Sequence, residues 1–218
     1  MPNWCTNTIT ITGDKKRIAT LSRVIDTLIK KTSPPEDTKE VPGLFQTLIG
    51  RNPQVTKEKY EDGGWYGANI DWYGCKWDID VYEGMFDITD DTISFSCDTA
   101  WSPPVNFLEN LCRMYDTSAT ITYFEPGCDF AGKMEFNPTG TSLQEDYNYT
   151  EGLYYLDEEL FWSEIEYNFE YDMENEVKPE DIANRYPFLN DEEKKEVRRI
   201  YEEYLQENTK ETKVEENE

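Results

Sequence analysis

The stretch from Met134 to Val177 contains thirteen acidic residues and ten aromatic residues but no lysine or arginine. An acidic stretch without aromatic residues is typical of a disordered segment, because it has too little apolar surface to bury. Here large rings are interleaved with the carboxylates, so the rings can be buried while the carboxylates remain in water. The stretch therefore predicts an ordered surface of high negative potential, which repels nucleic acid and attracts proteins that bind nucleic acid.

The charge of the whole chain is strongly negative and unevenly distributed. The 218 residues carry a formal net charge of −25, and residues 141–218 hold 25 acidic and 8 basic side chains. Self-repulsion on this scale destabilises the second part of the chain and favours a cationic partner. An alternative interpretation is that the acidity only keeps the protein soluble, and composition alone leaves both interpretations open.

Several classes of catalytic and cofactor site are excluded by residue type. The chain contains no histidine, which removes His-based triads and His-containing metal sites. It also lacks the glycine-rich motifs of dinucleotide-binding and P-loop proteins. We therefore predict no catalytic residue, no cofactor and no metal site.

The cysteines and the hydropathy pattern bear on the cellular compartment. The five cysteines are scattered and never in Cys-x-x-Cys spacing, which predicts reduced and mostly buried thiols. No secretory signal and no apolar run long enough to span a membrane are visible. These features predict a cytoplasmic protein of a host cell that has no contact with a membrane.

The hydrophobic periodicity of residues 1–137 predicts a β-α-β-β-α-β order with one further strand. Ser33–Asp37 is predicted to be a loop, and Ser102 is predicted to be the N-cap of the second helix. The order indicates an α+β fold, namely a ferredoxin-like split β-α-β sandwich with an antiparallel sheet and two helices on one face. The predicted strands are 5–12, 77–81, 92–97, 119–124 and 133–136, and the apolar stripes of the predicted helices span 18–29 and 107–115.

The last third of the sequence predicts an acidic, aromatic-rich extension that ends in helices. Residues 165–171 alternate between apolar and polar, which favours a strand with one carboxylated face, whereas 156–160 fit the start of a helix equally well. Pro179 begins a predicted short helix, and Asn190 with Glu193 resembles a capping box. The predicted organisation is a ferredoxin-like domain at 1–140, an acidic extension of mixed strand and helix at 141–206, and a disordered tail at 207–218.

Four phrases of the sequence are distinctive enough to suggest a family. They are Met1-Pro2-Asn3-Trp4-Cys5-Thr6-Asn7, Asp71-Trp72-Tyr73-Gly74-Cys75-Lys76-Trp77-Asp78, Thr99-Ala100-Trp101-Ser102-Pro103-Pro104 and the stretch from Tyr123 to Gly132. Together they resemble the YubB-like family of ferredoxin-like domains found on phages and conjugative plasmids. The resemblance covers residues 1–140 and leaves 141–218 outside it. It implies the fold and an origin on a mobile element, and it implies no reaction.

These observations lead to one main functional hypothesis. We expect a non-enzymatic interaction protein that inhibits a host nucleic-acid-binding defence protein, as an anti-CRISPR or anti-restriction factor, through an acidic surface that mimics nucleic acid. The partner would be a basic host protein, with no direct binding of nucleic acid. The residues predicted to bind the partner are Asp157, Glu158, Glu159, Glu164, Glu166, Glu170, Asp172, Glu174 and Glu176.

Two alternative functions remain from the sequence. The first is a nucleic-acid-binding module in which aromatic residues such as Trp72, Trp77 and Trp101 lie on the free face of the sheet and stack on bases. The second is an enzyme that uses a carboxylate cluster, for which Asp78, Asp80 and Glu83 are the candidates.

Overall fold

Within residues 3–32 and 42–215, which a computed structural model of the protein describes, six antiparallel strands form one sheet in the order β2-β3-β1-β4-β5-β6. Side chains are described as far as residue 208. Strand β3 lies between β1 and β2, and β1 lies between β3 and β4. This confirms an antiparallel α+β fold. The strands are β1 (Trp4–Thr12), β2 (Phe86–Ile88), β3 (Thr92–Ala100), β4 (Ser118–Glu125), β5 (Phe130–Asn137) and β6 (Gly140–Tyr147).

Strand β1 lies between β3 and β4, and its residues alternate between a buried apolar side and a side of hydroxyl groups. Cys5, Asn7, Ile9 and Ile11 are fully buried, whereas the intervening threonines face the opposite side. Asn7 is the polar exception on the buried side, and its amide donates hydrogen bonds to the carbonyls of Cys5 and Cys97 and to the Thr99 hydroxyl. The predicted alternation is confirmed.

Two amphipathic helices pack their apolar stripes into the same hydrophobic core as the inward face of the sheet. These are α1 (Lys15–Thr32) and α5 (Val105–Tyr115), both of which the periodicity predicted. Between α1 and β2 the described residues form three further helices, namely α2 (Leu44–Ile49), α3 (Lys57–Lys59) and α4 (Trp65–Tyr73), and a kink with non-helical backbone angles at Asp62 and Gly63 precedes α4. Residues Leu44, Phe45, Leu48, Ile49 and Tyr73 of this insertion are part of the core.

The strand predicted at 77–81 is wrong, because this segment is bonded to helix α2 instead of to the sheet. The Asp78 carboxylate accepts hydrogen bonds from the backbone N–H groups of Phe45 and Gln46, at 2.7 and 2.8 Å. The Leu44 N–H donates to the carbonyl of Ile79 at 2.9 Å. Residues 77–81 thereby satisfy the first turn of α2, and the edge strand β2 begins only at Phe86.

The predicted N-cap of α5 is also wrong. The helix begins at Val105 after Pro104, and the Ser102 hydroxyl donates to the carbonyl of Gly74 at 2.7 Å instead of capping the helix. The loop predicted at Ser33–Asp37 lies outside the described residues.

The chain divides into two compact units, Met1–Gly152 and Leu153–Glu218. The boundary predicted after residue 140 falls at the start of β6, a strand that the hydrophobic pattern did not predict. Beyond the sheet the described residues are helical, with a 3-10 turn at Ala183–Arg185. The helices are α6 (Tyr149–Leu156), α7 (Glu158–Tyr167), α8 (Phe169–Glu174), α9 (Pro179–Ile182) and α10 (Asp191–Glu215).

The second unit is held together by buried aromatic rings. Phe161 lies 6.1 Å from Tyr186, and Phe169 lies 5.0 Å from Tyr201, measured between ring centroids. These four side chains are buried, which removes large apolar areas from water. The strand favoured at 165–171 is wrong, because this segment belongs to α7 and α8.

The start of α10 confirms the predicted capping box. The Asn190 side chain accepts from the Glu193 N–H at 3.0 Å, and the Glu193 carboxylate accepts from the Asn190 N–H at 2.8 Å. The helix continues to Glu215, so residues 207–215 of the segment predicted to be a disordered tail are helical.

Candidate functional site

The carboxylates predicted to bind a partner lie on and around helices α7 and α8 instead of on a strand. Glu164 is half-buried and Asp172 is fully buried, and the other predicted side chains are exposed. The exposed ones are those of Asp157, Glu158, Glu159, Glu166, Glu170, Glu174 and Glu176.

Three of these carboxylates have a structural role at the start of α7. Asp157 is the N-cap, and its side chain accepts a hydrogen bond from the Leu160 N–H at 3.0 Å. Glu158 and Glu159 follow in the first turn, where the partial positive charge of the helix N-terminus stabilises acidic side chains. Their type is therefore explained by helix formation, whether or not a partner binds.

Asp172 is a structural residue. Its side chain is 1% exposed and forms an ion pair with Arg185, whose side chain is 43% exposed. A carboxylate at this depth is out of reach of a partner, so we leave Asp172 out of the candidate surface.

Four carboxylates form what we call the acidic ridge: Glu159, Glu166, Glu170 and Glu174. They are separated by seven, four and four residues, and the intervening Asn168 has right-handed helical backbone angles. This spacing places them on one side of the α7–α8 segment, about 6 Å apart along the axis for each four-residue step. The sequence contained this spacing, but the two-residue alternation of 165–171 masked it.

Exposed tyrosines accompany the acidic ridge. Tyr167 is 81% exposed and Tyr171 is 63% exposed, and the four-residue spacing makes them neighbours on the helix surface. Large rings at this exposure add little to the stability of the unit, and Tyr is enriched among residues that dominate binding energy at interfaces. The ridge and its two rings thus have the composition of a contact surface.

The ion pairs of the second unit, as far as its side chains are described, involve carboxylates outside the acidic ridge. Arg199 pairs with Glu196 and Glu203 along α10, each at 2.6 Å, and its hydrogen bonds hold the pKa of Glu196 below the usual range. Lys195 pairs with Glu192, and Arg185 pairs with Asp172. Among the described side chains, no ridge carboxylate forms an ion pair.

The outward face of the sheet carries hydroxyl groups at its central positions. A nucleic-acid-binding module would need aromatic rings there, on which bases could stack. Trp72 packs against the core and donates to the carbonyl of Gly50, and Trp77 and Trp101 lie outside the strands. The central outward positions of β1, β3 and β4 are Thr6, Thr8, Thr10, Ser94, Ser96, Thr120 and Thr122.

The three carboxylates of the enzyme alternative have different environments. Asp78 caps α2, and its burial raises the pKa of its carboxyl group even though three backbone N–H groups hydrogen-bond to it. Asp80 and Glu83 are exposed in the loop before β2.

Within the described residues no three His, Cys, Asp or Glu side chains are grouped so that they could hold a metal ion. No described helix has the length and apolar character needed to cross a bilayer.

The cysteines differ sharply in accessibility, which gives a first prediction. All five thiols are free, and burial raises the pKa of Cys5 and Cys97 to about 12 and that of Cys112 to about 11. Cys128 is exposed. At about pH 8 we expect a thiol reagent to label Cys128 rapidly in the native protein and all five thiols after denaturation. Cys128→Ser should abolish the rapid phase, and a second rapid thiol would contradict the burial of Cys5, Cys75 and Cys112 or the raised pKa of the half-buried Cys97.

Residues 76–183 match the family described as a ferredoxin-like domain in Api92-like protein. The match extends from the segment before β2 to the end of α9, so it includes the acidic stretch that the sequence resemblance left outside. It supports the ferredoxin-like assignment. A search of curated proteins finds no match.

Among solved structures, the chain is similar to the crystal structure of protein api92 from Yersinia pseudotuberculosis. The two chains share 10% sequence identity with a TM-score of 0.40, and the alignment covers 68% of this chain and 99% of that chain.

Proposed function

We propose that the protein is a non-enzymatic interaction protein that binds a basic, nucleic-acid-binding partner through the acidic ridge of α7 and α8. The observation that carries this proposal is the row of four exposed carboxylates without an ion pair among the described side chains. The carboxylates in this row repel one another in the free protein, and a bound cationic surface offsets that repulsion.

Charge density decides how such a surface can resemble nucleic acid. Duplex DNA carries about one charge per 1.7 Å of its axis. The ridge alone supplies one carboxylate per about 6 to 10 Å of helix axis, so it is too sparse to reproduce a duplex by itself. Glu158 and Glu176, both exposed, add to the charge of this segment. The partner would thus contact the ridge together with its flanking carboxylates and with Tyr167 and Tyr171.

The proposed biological role is inhibition of a host defence protein. An acidic surface that occupies a basic channel would block access of DNA or RNA, which is how an anti-CRISPR or anti-restriction protein of a phage or plasmid could act in the host cytoplasm. The resemblance to YubB-like domains supports the mobile-element origin. The strand order, in which β3 separates β1 from β2, supports the split β-α-β arrangement, with the second unit as its acidic, aromatic extension.

The test is a comparison of two variants with the same net charge. In the ridge variant, Glu159, Glu166 and Glu170 are each replaced with lysine. We expect its association with a captured basic partner to slow by roughly tenfold or more at low salt, because steering by the negative surface is lost. Surface plasmon resonance at several salt concentrations measures this rate, and competing duplex DNA should release the partner from the parent protein.

The matched control replaces three exposed acidic residues elsewhere, Glu58, Asp71 and Glu202, with lysine. We expect it to bind nearly as fast as the parent. Equal slowing of both variants would show that the total charge acts, not the ridge. If the ridge variant associates as fast as the parent protein, the proposal is wrong and the acidity serves only to keep the protein soluble.

A further inference from the structure

The four distinctive phrases of the sequence, which are far apart in the chain, meet at one end of the sheet. The Trp101 N–H donates to the carbonyl of Asn3 at 2.9 Å, and the Asn3 side chain donates to the Cys128 sulfur at 3.3 Å. The rings of Trp4 and Trp77 lie 6.1 Å apart. The four phrases thus build a single region of the first unit, and the proposed function does not use this region.

Exposed aromatic rings are concentrated in this region. Trp4 is 48% exposed, Trp77 is 37% exposed and Trp101 is 41% exposed. Trp101 also has a φ of +73°, a left-handed conformation that is unfavourable for a bulky side chain. The Lys76 ammonium lies over the rings of both Trp77 and Trp101, at 4.2 and 4.4 Å from their centroids. The region therefore already holds one cation against indole rings.

A groove of about 540 Å³ begins at Trp4 and runs between the outward face of β1 and β3 and the loop before β2. Its aromatic walls are Trp4 and the 63% exposed Tyr82, and Ile79 and Met85 add apolar surface. Its volume lies in the range that is typical of small-ligand sites, which is about 300–1,000 Å³.

The charged lining of the groove is entirely acidic within the described residues. Asp78, Asp80 and Asp98 line it, and no lysine or arginine does. The Asp78 carboxylate already accepts hydrogen bonds from the backbone N–H groups of Phe45 and Gln46 in α2. From the described part of the chain, Asp98 accepts one hydrogen bond, from the Thr6 hydroxyl at 2.8 Å, which fixes its orientation and leaves further acceptor positions. The exposed Asp80 forms no ion pair or hydrogen bond among the described residues.

We propose that this groove binds an arginine side chain presented by an extended segment of a partner protein. The planar guanidinium can lie against the Trp4 or Tyr82 ring while its N–H groups donate to the carboxylates of Asp80 and Asp98. A lysine ammonium lacks both the planar stacking surface and the forked donors, and a nucleic-acid phosphate is repelled by the carboxylates. The proposal concerns the first unit and does not depend on the acidic ridge.

The test uses the full chain and the tripeptide acetyl-Gly-Arg-Gly-amide as the probe. The readout is the indole N–H signal of Trp4 in two-dimensional NMR, assigned with Trp4→Phe. We expect this signal to shift on titration with the arginine peptide, to shift much less with the lysine peptide, and not to shift with the citrulline peptide, which has nearly the same shape without the charge. An equal response to citrulline or to lysine, or no response to arginine, would overturn the proposal.

Two variants locate the site. Asp80→Asn combined with Asp98→Asn should weaken arginine-peptide binding about tenfold or more, because two charge-assisted hydrogen bonds lose their charge. The amide oxygen introduced by Asp98→Asn can still accept from the Thr6 hydroxyl, so we expect the fold to persist, and thermal unfolding monitors it. Tyr82→Ala, at an exposed position, should weaken binding independently.

The matched control is Asp87→Asn, an exposed carboxylate of β2 that does not line the groove. It should leave binding unchanged. A loss as large as that of the double variant would assign the effect to the general negative potential and overturn the groove as the site.

Discussion

Replacing Arg185 with alanine is expected to destabilise the second unit by about 3 kcal/mol, because it leaves the buried Asp172 carboxylate without its counter-charge. The second carboxylate oxygen of Asp172 has no hydrogen-bond partner among the described residues, so the pair with Arg185 is its main compensation. Hydrogen exchange measured by mass spectrometry should show amides of α8 and α10 exchanging about a hundredfold faster, with the sheet of the first unit unchanged.

The control for this prediction is Arg199→Ala. Arg199 also pairs with carboxylates, but it and its partners Glu196 and Glu203 are about half exposed. Exposed ion pairs contribute at most about 1 kcal/mol, so exchange should change little. Adding Asp172→Asn to Arg185→Ala should restore part of the lost stability, because the amide carries no charge. Unchanged exchange in Arg185→Ala would show that the carboxylate is not dependent on this arginine.

Phe107→Ala is expected to destabilise the first unit by about 4 kcal/mol, which is typical of a large cavity in a well-packed core. Phe107 is fully buried, and its ring centroid lies 4.2 Å from that of Phe45, which is also fully buried. The cavity would open between α5 and α2, where neither backbone can close it without displacing the sheet contacts. Urea denaturation should give a lower midpoint with a similar m-value.

Met114→Ala on the same helix is the matched control for Phe107→Ala. Met114 is 57% exposed, and we expect a change within about 0.5 kcal/mol. A comparable loss in both variants would indicate that helix α5 itself, and not the buried contact with α2, controls stability.

The elements predicted correctly are those whose burial pattern is local. In β1 the two-residue alternation, and in α5 the spacing of Phe107, Leu108, Leu111 and Cys112, place apolar groups on one side without reference to any other segment. The error at 165–171 has a local cause too. Phe161, Ile165 and Phe169 have a four-residue spacing and are all buried, but the same residues also fit a two-residue alternation over a short window.

Other features depend on residues that are distant in sequence. Asp78 lies in a segment with the composition of a strand, and it caps a helix that begins 34 residues earlier, so no local pattern indicates its role. The groove is equally non-local, because β1, β3 and the loop before β2 each contribute part of its lining.

Composition alone shows that residues 134–177 are acidic, free of basic residues and rich in aromatic groups. The role of each carboxylate depends instead on how the helices pack. Asp172 is enclosed next to Arg185, whereas Glu159, Glu166, Glu170 and Glu174 remain outside. Helix packing turns Phe161, Ile165 and Phe169 inward, and the opposite side of the same helices must then face water.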